Sequence, residues 1–346
     1  MDHAGEVLKY IGKSQTGIEI GPYFSPLAAK RAGYNCVVMD VFDAPTLRRQ
    51  AELDPGIPKS SIENIEEVDI VGSCSALAEL VAEKFSLGTF DYVISSHNLE
   101  HLPDPIRFLK GCELVLKPGG IVSMAVPDRR VCFDYFRPVT TLGSWLEAYF
   151  EERERPSEAL LFDLHSLRAP YTRDGQGFPG FLHSDDPSGA TPQRRLESVY
   201  GQWLVRRDAP DEVYRDCHCS VFTPSSLRLL LEDLRFLGLL KMEVIEVRLA
   251  AGTEFYVHLR NPAGPASPIN PDTHYANRAK LLRDMIEEEA EASLVVRELR
   301  KDPARAPAVA IPAVPARYEY SRMAAFRHWL DLLWKKARCG RIRRAH

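Results

Sequence analysis

Long apolar runs are missing from this 346-residue chain. None approaches the ~18–20 residues that a bilayer-spanning helix needs, so any membrane contact is expected to be peripheral. Net charge is nearly missing too: the formal value is −4, which gives no whole-chain case for nucleic-acid binding. Cysteine is sparse. The seven cysteines are scattered without a regular framework, and an odd count in a long chain reads as reduced thiols in a cytosolic protein. The N-terminus begins Met-Asp-His, without a basic region followed by an apolar core, so no signal peptide is expected and the location reads as cytoplasmic. No internal repeat is present, which sets repeat architectures aside.

What remains is ordinary for a globular protein: 45% hydrophobic and 27% charged residues. The length suits one large α/β domain with additions, or two modest domains. Charge is unevenly placed. Residues 317–346 hold nine Lys/Arg and two acids, giving +7, so the rest of the chain carries −4 − 7 = −11. A basic tail is attached to an acidic body.

Short apolar runs alternate with helical stretches over the first 125 residues. Thr16–Ile20, Asn35–Asp40, a weaker 66–71, Phe90–Ser95 and Ile121–Val126 read as buried parallel strands. Brief helices are expected at 4–12, 26–33, 76–85 and 106–116, with 45–64 left as a Pro/Asp/Ser-rich connection. Lys117-Pro118-Gly119-Gly120 reads as a turn before the fifth strand. Residues 139–216 break the rhythm with helices near 142–153, 157–168 and 193–206 around a Gly/Pro/Asp-rich loop. Thr223 and Pro224 then open a helix with the stripe Leu227, Leu230, Leu231, Leu234, which Gly238 ends. Residues 241–249 and 253–260 read as a closing hairpin. The pattern predicts a doubly wound, mostly parallel, seven-stranded Rossmann-like sheet with a helical insert and a C-terminal helical extension. The expected division is a domain at 1–261 with 139–216 as its lid, Pro-rich linkers at 262–316 flanking a charged helix at 275–302, and a basic amphipathic tail at 317–346.

Ligands of such sheets lie outside the carboxyl ends of the strands. Gly17-Ile18-Glu19-Ile20-Gly21 puts a glycine at the end of strand one, where the backbone must turn closely past a ligand. Asp40 ends strand two, 19 residues on, where an acid accepts ribose hydroxyls. The loop after Gly21 reads Pro22-Tyr23-Phe24-Ser25-Pro26. It lacks the G-x-G-x-x-G that a dinucleotide pyrophosphate needs, which argues against a nicotinamide enzyme.

Together with Phe90-Asp91-Tyr92-Val93-Ile94-Ser95-Ser96-His97-Asn98-Leu99-Glu100-His101 and Leu116-Lys117-Pro118-Gly119-Gly120, the first motif resembles the class I S-adenosylmethionine-dependent methyltransferases, in the branch whose fourth strand ends in a Glu-His pair. The resemblance covers about residues 4–261. It implies that Glu19, Gly21 and Asp40 contact the amino-acid and ribose parts of S-adenosylmethionine, that Ser95-Ser96-His97 lies beside the methionine moiety, and that adenine lies near 73–77. Tyr23 either covers the cofactor or simply packs with Phe24 over the sheet. The same resemblance puts Glu100-His101 near the active-site mouth, where His101 is a candidate to take a proton from an acceptor hydroxyl; the alternative is a helix cap. Asp128, at the end of strand five, is a second candidate to orient or deprotonate substrate. Arg129 and Arg130 either bind an anion or face solvent.

Asp216-Cys217-His218-Cys219 invites a metal reading. Structural zinc needs four ligands with C-x₂₋₄-C spacing and no second half appears, so no metal is expected. In relatives a His before Phe-Thr-Pro faces the acceptor pocket, which makes His218 a third substrate-site candidate. His183-Ser184-Asp185-Asp186 reads as a polar loop. The Glu-His ending with His…Phe-Thr-Pro is also similar to small-molecule and glycan-associated members found with bacterial polysaccharide biosynthesis. The expected activity is therefore methyl transfer from S-adenosylmethionine to a hydroxyl of a sugar or other small acceptor. The alternative is a non-catalytic methyltransferase-fold scaffold in a membrane-proximal assembly. Phe326, Trp329, Leu330, Leu333 and Trp334 give the basic tail an apolar side, so peripheral membrane or partner-protein contact is expected through 317–346.

Overall fold

Asp2 opens the described chain by capping a short helix, α1 (His3–Val7): its carboxylate accepts from the Gly5 amide. The computed structural model describes residues 2–209, 213–250, 252–264, 268–293 and 296. These fall in the compact unit Met1–Glu298; the tail at 317–346 lies outside the described residues. After α1 come β1 (Thr16–Ile20), β2 (Asn35–Asp40), α2 (Ala44–Leu53), β3 (Ile70–Val71), α3 (Leu77–Ala82), β4 (Phe90–Ser96), α4 (Pro105–Val115) and β5 (Leu116–Pro127). The insert contributes α5 (Leu142–Phe150), α6 (Glu158–Leu167), the small hairpin β6 (Tyr171–Arg173) and β7 (Gln176–Phe178), and α7 (Leu196–Asp208). The chain then returns through α8 (Pro224–Phe236), β8 (Glu243–Leu249), β9 (Glu254–Arg260) and α9 (Pro271–Ala292).

One seven-stranded sheet runs β3-β2-β1-β4-β5-β9-β8. The first five strands pair in parallel, and β9 and β8 add antiparallel. The order reverses beside β1, so the switch point lies between β1 and β4, where an open sheet leaves its crevice. Ile18, Val93, Val122 and Val257 are buried at the sheet centre, with Leu227, Leu230, Leu231 and Leu234 of α8 covering it. Each such side chain contributes about 1.5–3 kcal/mol on burial. Thr223 caps α8 through a reciprocal box with Ser226.

Two expectations change. Residues 45–64 are not simply a connection, because Asp43 caps α2 from its own carboxylate and Pro45 sits harmlessly in the first turn. Residues 117–120 are a detour inside β5 rather than a turn before it. The register shifts between Phe90 and Tyr92, and Gly119 takes a φ of 84°. The Asn261 side chain ties that detour to α4 by donating to the carbonyls of Glu113 and Leu116.

The charged helix begins at Pro271, under an Asn270 cap, and packs on the body. Arg278 and His274 reach Asp233 of α8, and Glu288 accepts from Ser225 at the start of that helix. The insert leaves and re-enters the body at one place. Thr140 donates its amide to the Val221 carbonyl, and its hydroxyl accepts from the Val221 amide, at 2.9 Å each. Among the described residues, no helix is long and apolar enough to cross a membrane.

Candidate active site

The carboxyl ends of β1, β2 and β4 converge as the strand pairing requires. Ile20 is in register with Met39 on one side and Ser95 on the other. Gly21, Asp40 and Ser96 therefore lie along one edge. Gly21 has a φ of 60°, and a Cβ there would meet nothing within 4 Å, so its backbone faces open space. Asp40 is largely buried and accepts from the Phe42 amide at 3.3 Å; burial raises its pKa.

Glu19 is buried within β1, and its two carboxylate oxygens accept from the amides of Leu27 and Ala28, at 2.7 and 2.9 Å. Burial pushes its pKa up to about 7 against those two hydrogen bonds. Glu19 thus fastens the loop that follows Gly21. Tyr23, in that loop, has a positive φ of 47°. It stacks edge-to-face on Phe24, 5.1 Å between centroids, over Ala44 and Leu47 of α2.

The end of β4 is strained. His97 has a φ of 50°, a conformation uncommon outside glycine and asparagine that gathers at functional sites. Its Nε2 lies 2.7 Å from Glu254, which also receives His3 Nδ1 at 2.6 Å and the Tyr256 hydroxyl at 2.6 Å. The Ser96 hydroxyl lies 3.4 Å from His3 Nε2. Burial would lower the His97 pKa, but Glu100 and Glu254 outweigh it and bring it up to about 10. A cationic His97 therefore holds α1 against the edge through Glu254.

Beyond this edge the structure brings His101 and His218 together, edge-to-face, with ring centroids 4.7 Å apart. His101 Nδ1 is 2.9 Å from Asp216, and His218 Nδ1 is 2.5 Å from Asp134. Arg137 completes the group: it pairs with Asp134 at 2.8 Å and donates to the His218 carbonyl at 2.8 Å. The His101 pKa is raised: burial lowers it, and the Asp216 hydrogen bond and the Glu100 charge more than reverse that. The two histidines border a cavity of about 260 Å³ whose other walls include Phe133, Leu164, His165 and Arg168. Most of those walls come from or adjoin the insert.

Asp128 does not behave as expected. It is completely buried, and Arg130 grips it through Nε and Nη2, at 2.9–3.1 and 2.5 Å, while its own backbone turn adds the Arg130 amide. Burial raises its pKa, yet His183 and Arg130 bring the balance below the usual carboxylate range. A carboxylate so engaged is a poor proton acceptor, and Asp128 is set aside in that role. Arg129 and Arg130 do not face solvent either: Arg129 donates to Glu289 and to the carbonyls of Tyr135 and Arg137. Asp134, Arg137, Glu254 and the anchoring role of Glu19 went unread in the sequence. Their partners lie as far as 251 residues away, from His3 to Glu254.

A family model described as a methyltransferase domain matches residues 6–236. The ubiquinone biosynthesis O-methyltransferase of Xanthomonas campestris pv. campestris (strain B100) is 32% identical over 102 residues, 30% of this chain and 38% of that protein. The protein of the same name from Caulobacter vibrioides is 43% identical over 60 residues, 17% of this chain and 23% of that one. The chain thus spans less than half the length of these curated relatives. A solved SAM-dependent methyltransferase from Methanosarcina mazei shares 17% identity, with 75% of this chain and 97% of that one covered and a TM-score of 0.36.

Proposed function

The chain belongs to the methyltransferase-domain family; from that premise we propose that it is an S-adenosylmethionine-dependent enzyme that methylates a hydroxyl oxygen of a small-molecule or glycan acceptor. The observation that carries the acceptor reading is the His101–His218 pair, each ring held through Nδ1 by a carboxylate and both bordering the cavity. The O-methyltransferase names of the curated relatives lend the oxygen acceptor support.

The cofactor supplies an electrophilic methyl on a sulfonium centre. In this reading the open backbone at Gly21 admits its amino-acid end, Asp40 accepts its ribose hydroxyls, and Ser96 with His97 borders the methionine part. Glu19 and Tyr23 act one step back, by fixing the loop. Asp40→Ala is expected to weaken S-adenosylmethionine binding in calorimetry; unchanged affinity would remove Asp40 from the site. His101 and His218 hold the acceptor hydroxyl and receive its proton, in a pocket where positioning does much of the work. We place the catalytic domain at 1–261, with 139–216 as the lid that selects the acceptor. The scaffold alternative rests on the altered loop after Gly21, which Glu19 nevertheless holds in one shape.

Transfer of labelled methyl to a panel of hydroxyl, amine and thiol acceptors tests the reading. Label is expected on a hydroxyl compound, and His101→Ala is expected to slow it about 10²–10⁴-fold while leaving cofactor binding in place. Label confined to amines or thiols would overturn the oxygen assignment. The +7 segment 317–346 is proposed to bring the enzyme to anionic lipid surfaces. Equal pelleting of the full chain and a chain lacking 317–346 with anionic vesicles would remove that idea.

A further inference from the structure

Proton transfer alone does not call for the third member of the histidine cluster. Donor atoms of Glu100, His101 and His218 all lie within 4.8 Å of one another. Glu100 is 1% exposed, and neither carboxylate oxygen has a hydrogen-bond partner. The cationic His97 stands 3.4 Å from Oε1 through Nδ1, which answers part of the charge on one side and makes no hydrogen bond to either oxygen. Buried carboxylate oxygens left without a donor or ligand are costly. The two imidazoles are arranged in a matching way. Each gives Nδ1 to a carboxylate, Asp216 for His101 and Asp134 for His218. That leaves Nε2 as the lone-pair nitrogen of both rings. Metal-ligating histidines are oriented and made more basic by such outer carboxylates. The cluster is also braced from behind: Ser220 donates its amide to the Glu100 carbonyl at 3.0 Å, which fixes the His218 segment beside the strand-four end.

We infer that Glu100, His101 and His218 form a binding site for a divalent transition cation of the Zn²⁺, Fe²⁺ or Mn²⁺ class. Two imidazoles and a carboxylate suit those ions, whereas Mg²⁺ and Ca²⁺ take oxygen ligands. Three protein ligands leave coordination positions open, as catalytic rather than structural sites do. The site reverses the expectation of no metal, and by a different route from the one weighed on the sequence. Cys-His-Cys contributes its imidazole, while Cys217 and Cys219 turn to each other with sulfurs 3.9 Å apart. Bonds of about 2.0–2.1 Å need donors about 3.4 Å apart, so the side chains must close by roughly 1 Å or a little more on loading. With the cation bound, both Nε2 lone pairs are ligands, so the imidazoles hold the cation instead of taking the proton; an acceptor hydroxyl entering from the cavity becomes a further ligand, its pKa falls there, and its proton passes to solvent. This consequence rests on the hydroxyl-acceptor reading; the site itself does not.

The test uses the full chain, dialysed against a chelator and titrated with Co²⁺ while its visible d–d absorption is recorded. One Co²⁺ per chain is expected, displaced by Zn²⁺ and not by Mg²⁺. Glu100→Gln and His218→Ala are expected to abolish the bands. Asp216→Asn, at an exposed position, is expected to weaken binding about 10–100-fold. Unchanged S-adenosylmethionine calorimetry certifies the fold of each variant. No bands in the wild-type chain, or equal bands in Glu100→Gln and His218→Ala, would overturn the site. If Co²⁺ binds as stated and no hydroxyl acceptor is ever methylated, the hydroxyl reading falls and the site stands. Methylation at full rate by the chelated chain would overturn the cation's part in acidifying the acceptor.

Discussion

Glu19 shows how one side chain can be named correctly from its neighbours and still have its work misjudged. The sequence placed it at the end of strand one, beside Gly21, and that is where it lies. Its carboxylate, however, is committed to the Leu27 and Ala28 amides. Glu19→Gln turns an amide NH₂ toward one of those donors and leaves a buried N–H unpaired, a loss of about 1–3 kcal/mol measurable by urea unfolding. The pH dependence is also fixed in sign. The folded pKa of about 7 exceeds the ordinary carboxylate value of 4.5, so the native state holds more protons between those values. The stabilising contribution of Glu19 is complete below about 4.5 and is lost as pH rises through about 7. The wild-type advantage over Glu19→Gln is therefore expected to shrink across that window. Asp128 carries the opposite lesson. Its strand-end position was legible, but the Arg130 grip that disables it as a base depends on burial, which composition does not reveal.

At the level of elements, alternation and capping were readable because they are local. Buried parallel strands leave apolar runs, and Thr223-Pro224 announces α8. What failed was whatever depended on distant partners. Helix α2 was lost inside a proline-containing stretch, and α9 was recognised as a helix without any sign that it would dock. Its docking runs from the amino half, where His274 and Arg278 reach Asp233, to the carboxyl end, where Glu289 pairs with Arg129 and the Ala292 carbonyl accepts from Tyr135. Arg129→Ala strands Glu289 and two carbonyls, and is expected to cost about 2–4 kcal/mol, read as a lower urea midpoint. Thr223→Ala removes the α8 cap and is expected to cost about 1 kcal/mol.

For the whole molecule, seven strands in a mostly parallel sheet followed from the order of short apolar runs, and the strand-end edge proposed for the cofactor followed from the sheet. The side proposed for the acceptor did not, because Asp134, Asp216, His101 and His218 come from three separate stretches that meet only in the folded chain. A related long-range tie joins the two ends of the domain: Glu254 of β9 holds His3 of α1 and His97 of β4. Burial would raise the Glu254 pKa, but its hydrogen bonds with His3, His97 and Tyr256 outweigh that and hold it well below the ordinary carboxylate value of about 4.5. Its contribution is present above about 4.5 and is lost as pH falls below that. Hydrogen-exchange protection at residues 3–7, corrected for the intrinsic slowing of exchange in acid, is expected to fall on acidification in the wild-type chain, and to be low and flatter with pH in Glu254→Gln.

The paired bonds between Thr140 and Val221 make the insert a loop with a closed stem. Lengthening a loop whose ends are already joined costs little, since closure entropy grows only with the logarithm of length. If the insert is the acceptor chamber proposed above, it can be exchanged as a cassette while the sheet and its strand-end edge keep their register. Replacing 141–216 with the corresponding segment of another enzyme is expected to transplant acceptor preference and leave S-adenosylmethionine affinity unaltered.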